Sequence, residues 1–326
     1  MPMPSKTEPR APTFTDIVDA ARRIAPIIRR TPVKSGRLID IELGCQMWFK
    51  CENLQETGAF KMRGAANAVL HLREQHNESN VATHSSGNHG AALARAARLD
   101  GRKAHVVMPS NAVQRKIDAV RGQGAEVVLC EPNQPAREAG LEALVKQGLI
   151  PIPPYDHPDI IAGQGTAALE LLEEREDLDI ILTPVGGGGL VSGTAIAAHG
   201  LSSRIEIIAA EPEGAADTAA SLARGSRVES WQPDTIADGL RAIVGKLTFP
   251  IIQAENAQVV TVSEQGIINA VRLAFDSLAM AIEPSAAIVL GAILEHPERF
   301  RGRRVGVILS GGNVERSAFP FLATAG

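Results

Sequence analysis

A single lysine stands between a phenylalanine and an alanine-rich segment in TGAFKMRGA, residues 57–65. A lysine amine held at a fixed point can form a Schiff base with a carbonyl compound, which is how lysines act in covalent catalysis. The same pattern also occurs where an amphipathic helix begins with a solvated lysine. Lys61 is therefore a candidate catalytic residue if other stretches supply groups that match it.

A glycine-rich loop in PVGGGGLVSG, residues 184–193, places four consecutive glycines between a hydrophobic run and a helical one. Backbone N–H groups can approach an anion closely there, and the following helix start favours negative charge. No Lys-Ser/Thr follows, and the spacing does not fit the dinucleotide fingerprint, so triphosphate and nicotinamide sites are disfavoured. The loop predicts a phosphate held by backbone amides, with a tight packing turn as the alternative.

Two further turns carry polar groups at strand ends. In THSSGNHGAALA, residues 83–94, Ser85, Ser86 and Asn88 can receive a carboxylate at a helix start, although an ordinary helix cap has the same pattern. In LSGGN, residues 309–313, Ser310 ends a strand, where open α/β sheets bind ligands, although a simple turn also explains it.

These four stretches supply an amine, an anion nest, a carboxylate nest and a neutral hydroxyl. A pyridoxal-phosphate enzyme needs these parts: a Schiff-base lysine, a phosphate cup, a substrate-carboxylate cup and a partner for the pyridine nitrogen. The sequence therefore predicts a pyridoxal 5'-phosphate enzyme.

Strands that alternate with helices must position these groups. Near-continuous runs of Val, Ile and Leu favour α/β architecture with parallel sheets covered by helices on both faces. We expect a large cofactor-binding domain from residues 1–70 and 156–326, and a small domain from residues 71–155. The predicted strands are residues 81–86, 104–109, 125–130, 179–185, 204–210, 258–262 and 304–310.

Composition excludes several classes of function. Aromatic residues make up 3% of the 326 residues and the net charge is −4 with no long basic run, so a nucleic-acid partner is not expected. No apolar run reaches the ~20 residues of a membrane helix. Cys45, Cys51 and Cys130 form no CxxC pair, which indicates reduced thiols and a cytoplasmic protein.

The chain resembles the fold-type II pyridoxal-phosphate family of serine/threonine dehydratases and serine racemases, whose fold is that of the tryptophan synthase β subunit. The similarity runs in family order from about residue 50 to 314, and RRTPV (29–33) extends it. The matching segments are ENLQETGAFKMRGAANAV, THSSGNHGAALA, IAGQGTAALE, PVGGGGLVSG, AAEPEGAAD, ADGLRA, IEPSAA and LSGGNVE.

The resemblance implies a role for each matching residue. Lys61 would carry the cofactor, Phe60 would pack beside its ring, Asn88 would bind its phenolic oxygen and Ser310 would face its pyridine nitrogen. The phosphate would be held by Gly186, Gly187, Gly188, Gly189 and the amide of Leu190, and Gly239 would lie over the ring. Substrate contacts would come from Ser85, Ser86, Asn88, His89 and Arg137.

Finer motifs divide the family. Threonine dehydratases carry alanine where this chain has Ser86, whereas serine racemases and 3-hydroxyaspartate dehydratases carry SSGNH, and in the racemases that serine is the acid/base opposite the lysine. AAEPEGAAD resembles a divalent-metal site, with Glu211, the carbonyl of Ala215 and Asp217 as oxygen ligands for Mg²⁺, Mn²⁺ or Ca²⁺.

The chain departs from the racemases at two places. Ala242 stands where the racemases tend to carry a small hydroxyl residue, which argues against racemase-type substrate contacts. Tyr155 and His157 lie in the crossover segment PIPPYDHPD, which is closer to that of the hydroxyaspartate enzymes. Arg137 matches a family arginine near the cleft that can meet a second substrate carboxylate. The resemblance also implies a homodimer, and the short stretch after LSGGN suggests no amino-acid-sensing domain and no inhibition by isoleucine.

The implied activity is β-elimination from a small 3-hydroxy amino acid (serine, threonine or 3-hydroxyaspartate) to give a 2-oxo acid and ammonia. The alternative is a serine racemase, or one for aspartate-type substrates, with dehydratase side activity. A non-catalytic binding protein is disfavoured because Lys61, Ser86, Asn88 and Ser310 are retained together. Cysteine and tryptophan synthases are disfavoured because their motifs differ from SSGNHG and FKMRG.

Overall fold

The computed structural model describes residues 10–85 and 87–314, so Ser86 lies outside the described residues. Ten strands and thirteen α-helices are found within these ranges. The strands are β1 Val33–Lys34, β2 Gln46–Lys50, β3 Val81–His84, β4 Ala104–Pro109, β5 Glu126–Cys130, β6 Ile150–Pro151, β7 Ile180–Pro184, β8 Glu206–Pro212, β9 Gln258–Val262 and β10 Arg304–Ile308.

Helices separate most of these strands. They are α1 Phe14–Ile24, α2 Arg37–Leu43, α3 Lys61–Glu74, α4 Asn88–Leu99, α5 Gln114–Gly122, α6 Gln134–Lys146, α7 Pro158–Glu174, α8 Gly189–Leu201, α9 Asp217–Arg224, α10 Thr248–Ala254, α11 Glu264–Leu278, α12 Pro284–Glu295 and α13 Pro297–Phe300. None of the helices in the described part of the chain has the length and apolar character that crossing a membrane requires.

Two sheets organise the fold. The larger has six strands in the order β1-β2-β10-β7-β8-β9, and the smaller has four in the order β5-β4-β3-β6. Apart from the antiparallel β1–β2 pair, the neighbouring strands are parallel. The predicted α/β architecture with parallel sheets is confirmed. The four-stranded sheet falls within residues 71–155, as predicted for the small domain, while the domain boundaries themselves stay a prediction.

The seven predicted strands correspond to β3, β4, β5, β7, β8, β9 and β10. The sequence did not reveal the two-residue strands β1 and β6, nor β2, which pairs in parallel with β10 and ends on the fully buried Lys50. A buried lysine at a strand end is tolerated only when a partner neutralises its charge, and that partner, Glu170, is remote in the sequence.

Ser110 and Asn111, which precede α5, are of the residue types that favour an N-cap, but the helix begins after them. The N-cap is Val113. The N–H of Ser110 donates to the carbonyl of Cys130 at 2.8 Å, so the chain continues the β4–β5 ladder at this point. Because that backbone group is already paired within the sheet, the helix begins later than the side-chain pattern suggests.

Helices α3 and α7 pack with almost no space between their backbones. A Cβ atom on Gly163 would lie 2.6 Å from the Cα atom of Gly64 and 2.7 Å from the carbonyl oxygen of Arg63. Such contacts are far shorter than van der Waals separations, so glycine is required where the helices cross. This close crossing fixes the distance between α7 and the helix that begins at Lys61.

We expect Gly163→Ala to lower the free energy of unfolding by about 1–3 kcal/mol, because the added methyl group forces the two helices apart. Gly122→Ala in α5 is the matched control, since a Cβ atom there meets no other atom within 4 Å. The control is expected to be neutral or slightly stabilising. Urea unfolding of both variants measures the difference, and equal stabilities would contradict this account of the crossing.

Candidate active site

A single cavity with a volume of about 1460 Å³ brings the predicted cofactor and substrate residues together. Its wall includes the end of β7 and the residues just beyond β3 and β10, so the site lies at the carboxyl ends of parallel strands from both sheets. The lining residues foreseen from sequence are Phe60, Lys61, Ser85, Asn88, His89, Arg137, Tyr155, Gly186, Gly187, Gly188, Gly189, Leu190, Gly239 and Ser310. Ser86 lies outside the described residues.

Lys61 is the first residue of α3 and lines the cavity. Its Nζ donates a hydrogen bond to the carbonyl of Pro154 at 2.7 Å and lies 5.0 Å from the centre of the Phe60 ring. Burial lowers the pKa of this amine from 10.5 to about 8, although the nearby Glu283 acts in the opposite direction. About a tenth of the amine is therefore uncharged at pH 7, far more than for an ordinary lysine, and only the uncharged form acts as a nucleophile or base.

The glycine loop leads into α8 with no room for side chains. Gly188 has a left-handed φ of 89°, and a Cβ atom on it would lie 2.7 Å from Thr248 Oγ1. A Cβ atom on Gly187 would overlap the ring of Tyr155. Thr248 Oγ1 donates to the Gly187 carbonyl at 2.7 Å and fixes the loop. The first N–H groups of a helix have no intrahelical partner, so this end of α8 can receive an anion.

The turn before α4 is partly occupied by its own hydrogen bonds. Ser85 Oγ accepts from the N–H groups of Gly87 and Gly90 at 3.3 and 3.2 Å, so this hydroxyl caps the helix start. His89 is 2% exposed, and its Nε2 lies 3.0 Å from the Ile152 carbonyl. Burial lowers the pKa of His89 to about 3, so its ring is neutral and less available to a substrate than the sequence suggested.

Asn88 is held by two residues that the sequence analysis did not assign to the site. Its Nδ2 donates to both carboxylate oxygens of Glu283, at 2.9 and 3.1 Å, and its Oδ1 accepts from Asn313 at 2.9 Å. Burial raises the pKa of Glu283 to about 7. IEPSAA and LSGGN contain these residues, but a glutamate before a proline looks like an ordinary helix start. Only the fold brings it to Asn88.

Ser310 lies two residues beyond the end of β10 and is 2% exposed. Its carbonyl accepts a hydrogen bond from the N–H of Phe60 at 3.0 Å, which ties the residue before Lys61 to this strand end. Phe60 and Ser310, which the resemblance places at different points around the cofactor ring, are thus joined by a backbone hydrogen bond.

Arg137 reaches the cavity from α6. Its Nε is buried and has no hydrogen-bond partner within the described ranges. Burial and the charge of Arg137 lower the pKa of His84, which lines the same cavity. This part of the wall therefore presents a guanidinium to the cavity, while its contact with a substrate stays a prediction.

The predicted metal ligands lie outside the cavity lining. Glu211 and Asp217 are fully or almost fully buried. The Glu211 oxygens accept from the N–H groups of Thr218 and Ala219, both at 2.8 Å. Burial raises the pKa of Glu211 to about 7 and that of Asp217 to about 6. Residues 10–85 and 87–314 contain no cluster of three or more metal-binding side chains, so the metal stays a prediction.

The cavity fits pyridoxal phosphate. It combines an amine of lowered pKa, a helix start whose loop admits only glycine, and a buried hydroxyl at a strand end. A buried Glu211–Asp217 pair also suits a hard cation, because each carboxylate pKa is raised by burial that a bound charge would offset. This fold and this site define a pyridoxal-phosphate enzyme of fold type II.

The chain belongs to the pyridoxal-phosphate dependent enzyme family, whose model matches residues 24–311. It is 46% identical to serine racemase from Dictyostelium discoideum over 94% of this chain and 96% of that protein. It is 42% identical to beta-hydroxyaspartate dehydratase from Paracoccus denitrificans over 95% of this chain and 99% of that protein. The processed form of threonine deaminase isoform 2 from Solanum lycopersicum matches in structure with a TM-score of 0.89 and 32% identity, covering 99% of this chain and 93% of that one.

We expect the Lys61 amine of the cofactor-free protein to react with acetic anhydride half-maximally near pH 8, because only the uncharged amine is nucleophilic and burial lowers its pKa. Competitive labelling followed by peptide mass spectrometry measures this profile. Lys146, whose side chain is 72% exposed, serves as the control in the same sample. A Lys61 profile that rises only near pH ~10.4, as for an ordinary lysine, would contradict the prediction.

Proposed function

We propose that the protein is a pyridoxal-phosphate dependent ammonia-lyase that converts a small 3-hydroxy amino acid to a 2-oxo acid and ammonia. The observation that carries this proposal is the cavity itself, in which the Lys61 amine, the glycine loop, the α4 start and Ser310 meet. The family match and the relative that is a beta-hydroxyaspartate dehydratase support it.

The cofactor would be held by residues already in place around the cavity. The amides of residues 186–190 would bind its phosphate, Asn88 its phenolic oxygen and Ser310 its ring nitrogen, with Gly239 and Phe60 against the ring. When bound, pyridoxal phosphate withdraws electrons from the α-carbon of an amino acid, which allows the α-proton and a β-hydroxyl to leave.

Lys61 would act as the base in this reaction. Its amine has a pKa of about 8 and hydrogen-bonds to the neutral carbonyl of Pro154. An amine near that pKa can accept a proton at the α-carbon and later release it to the departing group. The glycine loop packs against the half-buried ring of Tyr155, which lines the same cavity as Lys61.

Ser310 would favour elimination over transamination. A neutral hydroxyl cannot balance a full positive charge on a ring nitrogen as a carboxylate would. Negative charge that develops at the α-carbon would therefore be stabilised less. Elimination of the β-hydroxyl would then be favoured over the proton transfers that lead to transamination. Ser310 is buried at the cavity wall, where that difference in charge is least screened by water.

Arg137 supports 3-hydroxyaspartate as the substrate among the three candidates. Its guanidinium reaches the cavity that His84 also lines, and its Nε is buried without a partner within the described ranges. A guanidinium forms paired hydrogen bonds with a carboxylate, so it suits the second carboxylate of an aspartate-type substrate. Serine and threonine lack that group.

Serine racemisation is the second candidate activity. The sequence feature that favours it is Ser86, which matches the residue that acts as acid/base opposite the lysine in serine racemases. The 46% identical relative is a serine racemase, which supports the same interpretation. The resemblance further supports a Mg²⁺ ion at Glu211, Ala215 and Asp217 and a homodimer as parts of this proposal. The three cysteines, which form no CxxC pair, support a cytoplasmic location.

The test is release of 2-oxo acid by the cofactor-loaded protein from L-serine, D-serine, L-threonine and each isomer of 3-hydroxyaspartate. We expect hydroxyaspartate to be preferred, and Arg137→Gln to raise its KM about tenfold to a hundredfold while changing that of serine little, because a charge-assisted pair contributes about 1.5–3 kcal/mol. Equal effects on both substrates would remove Arg137 from this role. Chiral analysis of remaining serine reveals a racemase, and inactivity on every substrate would overturn the proposed function.

We expect Mg²⁺ to raise the melting temperature more at pH ~8 than at pH ~5.5, because carboxylate ligands must be deprotonated. Burial raises the Glu211 pKa from 4.5 to about 7. The raised pKa therefore stabilises the folded protein fully below pH 4.5, and this stability is lost as the pH rises from 4.5 to above 7. Without the ion, this loss amounts to about 3 kcal/mol.

Glu211→Gln is expected to remove both the Mg²⁺ response and this part of the pH dependence. Glu283→Gln is the matched control, because burial also raises that carboxyl's pKa to about 7 although it is not a predicted ligand. Differential scanning fluorimetry measures all three proteins, and a Mg²⁺ response that survives Glu211→Gln would refute the predicted ligand.

A further inference from the structure

Four charged side chains form a closed cluster next to the active site. The Arg63 guanidinium contacts Glu52 through Nε and Nη2, both at 2.8 Å, and Glu170 through Nη1 and Nη2, also at 2.8 Å. Lys50 Nζ donates to Glu170 at 2.6 Å and to the Thr31 carbonyl at 2.6 Å. The cluster thus contains two cations and two carboxylates with no net charge.

This cluster is closed to water and separate from the cavity. Lys50, Glu52 and Arg63 are 0% exposed and Glu170 is 9% exposed. None of the four is among the described residues that line the cavity, so direct contact with a ligand does not explain them. Burying charges is costly, and apolar residues of similar volume often give equal or greater stability. Stability alone therefore does not explain why these four positions are charged.

The cluster joins the three segments that determine where the Lys61 amine lies. Arg63 is in the first turn of α3, two residues after Lys61. Glu52 lies in the 3₁₀ turn Glu52–Leu54, which follows β2 and leads to Lys61. Glu170 lies on α7, whose first turn follows Pro154, the acceptor of the Lys61 amine.

Further along α3, the side chains of Asn67 and His71 also join it to α7, contacting the carbonyl and the carboxylate of Asp159 at 2.7 and 2.8 Å. At the crossing nearer Lys61, Gly64 and Gly163 bring the two backbones together without side chains of their own. The hydrogen bond from the Gly64 N–H to Gln164 is long, at 3.3 Å. In contrast, two carboxylates bind two edges of the planar Arg63 guanidinium, and paired bonds of this kind restrict both distance and angle.

We propose that the cluster of Lys50, Glu52, Arg63 and Glu170 is a positioning device that fixes the Lys61 amine against the Pro154 carbonyl and so controls attachment of the cofactor. Sliding of α3 along α7 would move the amine by the same distance, and a shift of about 1 Å can cost a hundredfold in an aligned reaction. The inference rests on the proposed role of Lys61 as the cofactor-bearing residue.

The decisive variant is Arg63→Lys, which keeps the charge but loses the planar fork. The cofactor-loaded protein is treated with borohydride, and the fraction of cofactor trapped on Lys61 is measured by peptide mass spectrometry, together with the cofactor dissociation constant. We expect cofactor binding to weaken about tenfold and trapping on Lys61 to fall, because the amine is displaced. All measurements are made below the melting temperature of each protein.

Arg102→Lys is the matched control, since Arg102 forms another buried ion pair, with Asp100 at 2.6 Å, and side-chain exposures are 7% and 1%. This variant is expected to melt at a lower temperature with normal cofactor binding and trapping. If Arg63→Lys behaves in the same way, the cluster is only a source of stability and the proposal is wrong.

Thr166→Val is a milder variant in case Arg63→Lys does not fold. It removes the 3.1 Å hydrogen bond from Arg63 Nη1 to Thr166 Oγ1 and the 2.6 Å bond from that hydroxyl to the Gly163 carbonyl, and it leaves every charge in place. Weaker trapping on Lys61, measured well below the melting temperature, supports the proposal, and unchanged trapping overturns it. Lys61→Ala tests the role of Lys61 separately from that of the cluster. If this variant still traps cofactor, on another lysine, the proposed role of Lys61 is wrong. If only the positioning role is wrong, the wild-type protein still traps cofactor on Lys61 and the cluster variants do so equally well.

Discussion

A lysine amine in water is almost wholly protonated at neutral pH, and the site depends on raising the uncharged fraction of Lys61. Its hydrogen bond goes to the neutral carbonyl of Pro154, and within the described ranges no carboxylate forms an ion pair with it. Glu283 is near enough to act against the shift, but burial raises its own pKa to about 7 and Asn88 contacts both of its oxygens. Burial therefore outweighs attraction, and the pKa of Lys61 falls to about 8.

The surrounding fold supplies both the exclusion of water and the fixed position that this requires. Strands of two parallel sheets end at the same cavity, so groups from α3, α4, α8 and the end of β10 converge although they are remote from one another in sequence. The glycines of the loop before α8 allow the backbone to face an anion directly. In the Arg63 cluster the positive charges of Lys50 and Arg63 are paired with the carboxylates of Glu52 and Glu170, so the cluster adds no net positive charge near Lys61.

Much of this arrangement could be predicted from local patterns. Runs of Val, Ile and Leu bounded by turns revealed seven strands, and the glycine loop, the SSGNHG turn and LSGGN revealed residues that line the cavity. These signals are local because strand propensity, helix starts and glycine conformations depend on few neighbouring residues. Strands β1, β2 and β6 were not found, and β2 was missed because its terminal Lys50 resembles a surface residue until Glu170 is brought to it.

The sequence by itself determined the fold class, the identity of the candidate reactive lysine and the chemistry of the groups around it, since each is encoded within a few consecutive residues. Only the tertiary structure decided the pKa values of Lys61 and Glu283, the partner of Asn88, the acceptor at Pro154 and the pairing of Arg63 with two carboxylates. Desolvation and hydrogen bonding depend on which remote segments close around a group, and no local pattern in one chain records that.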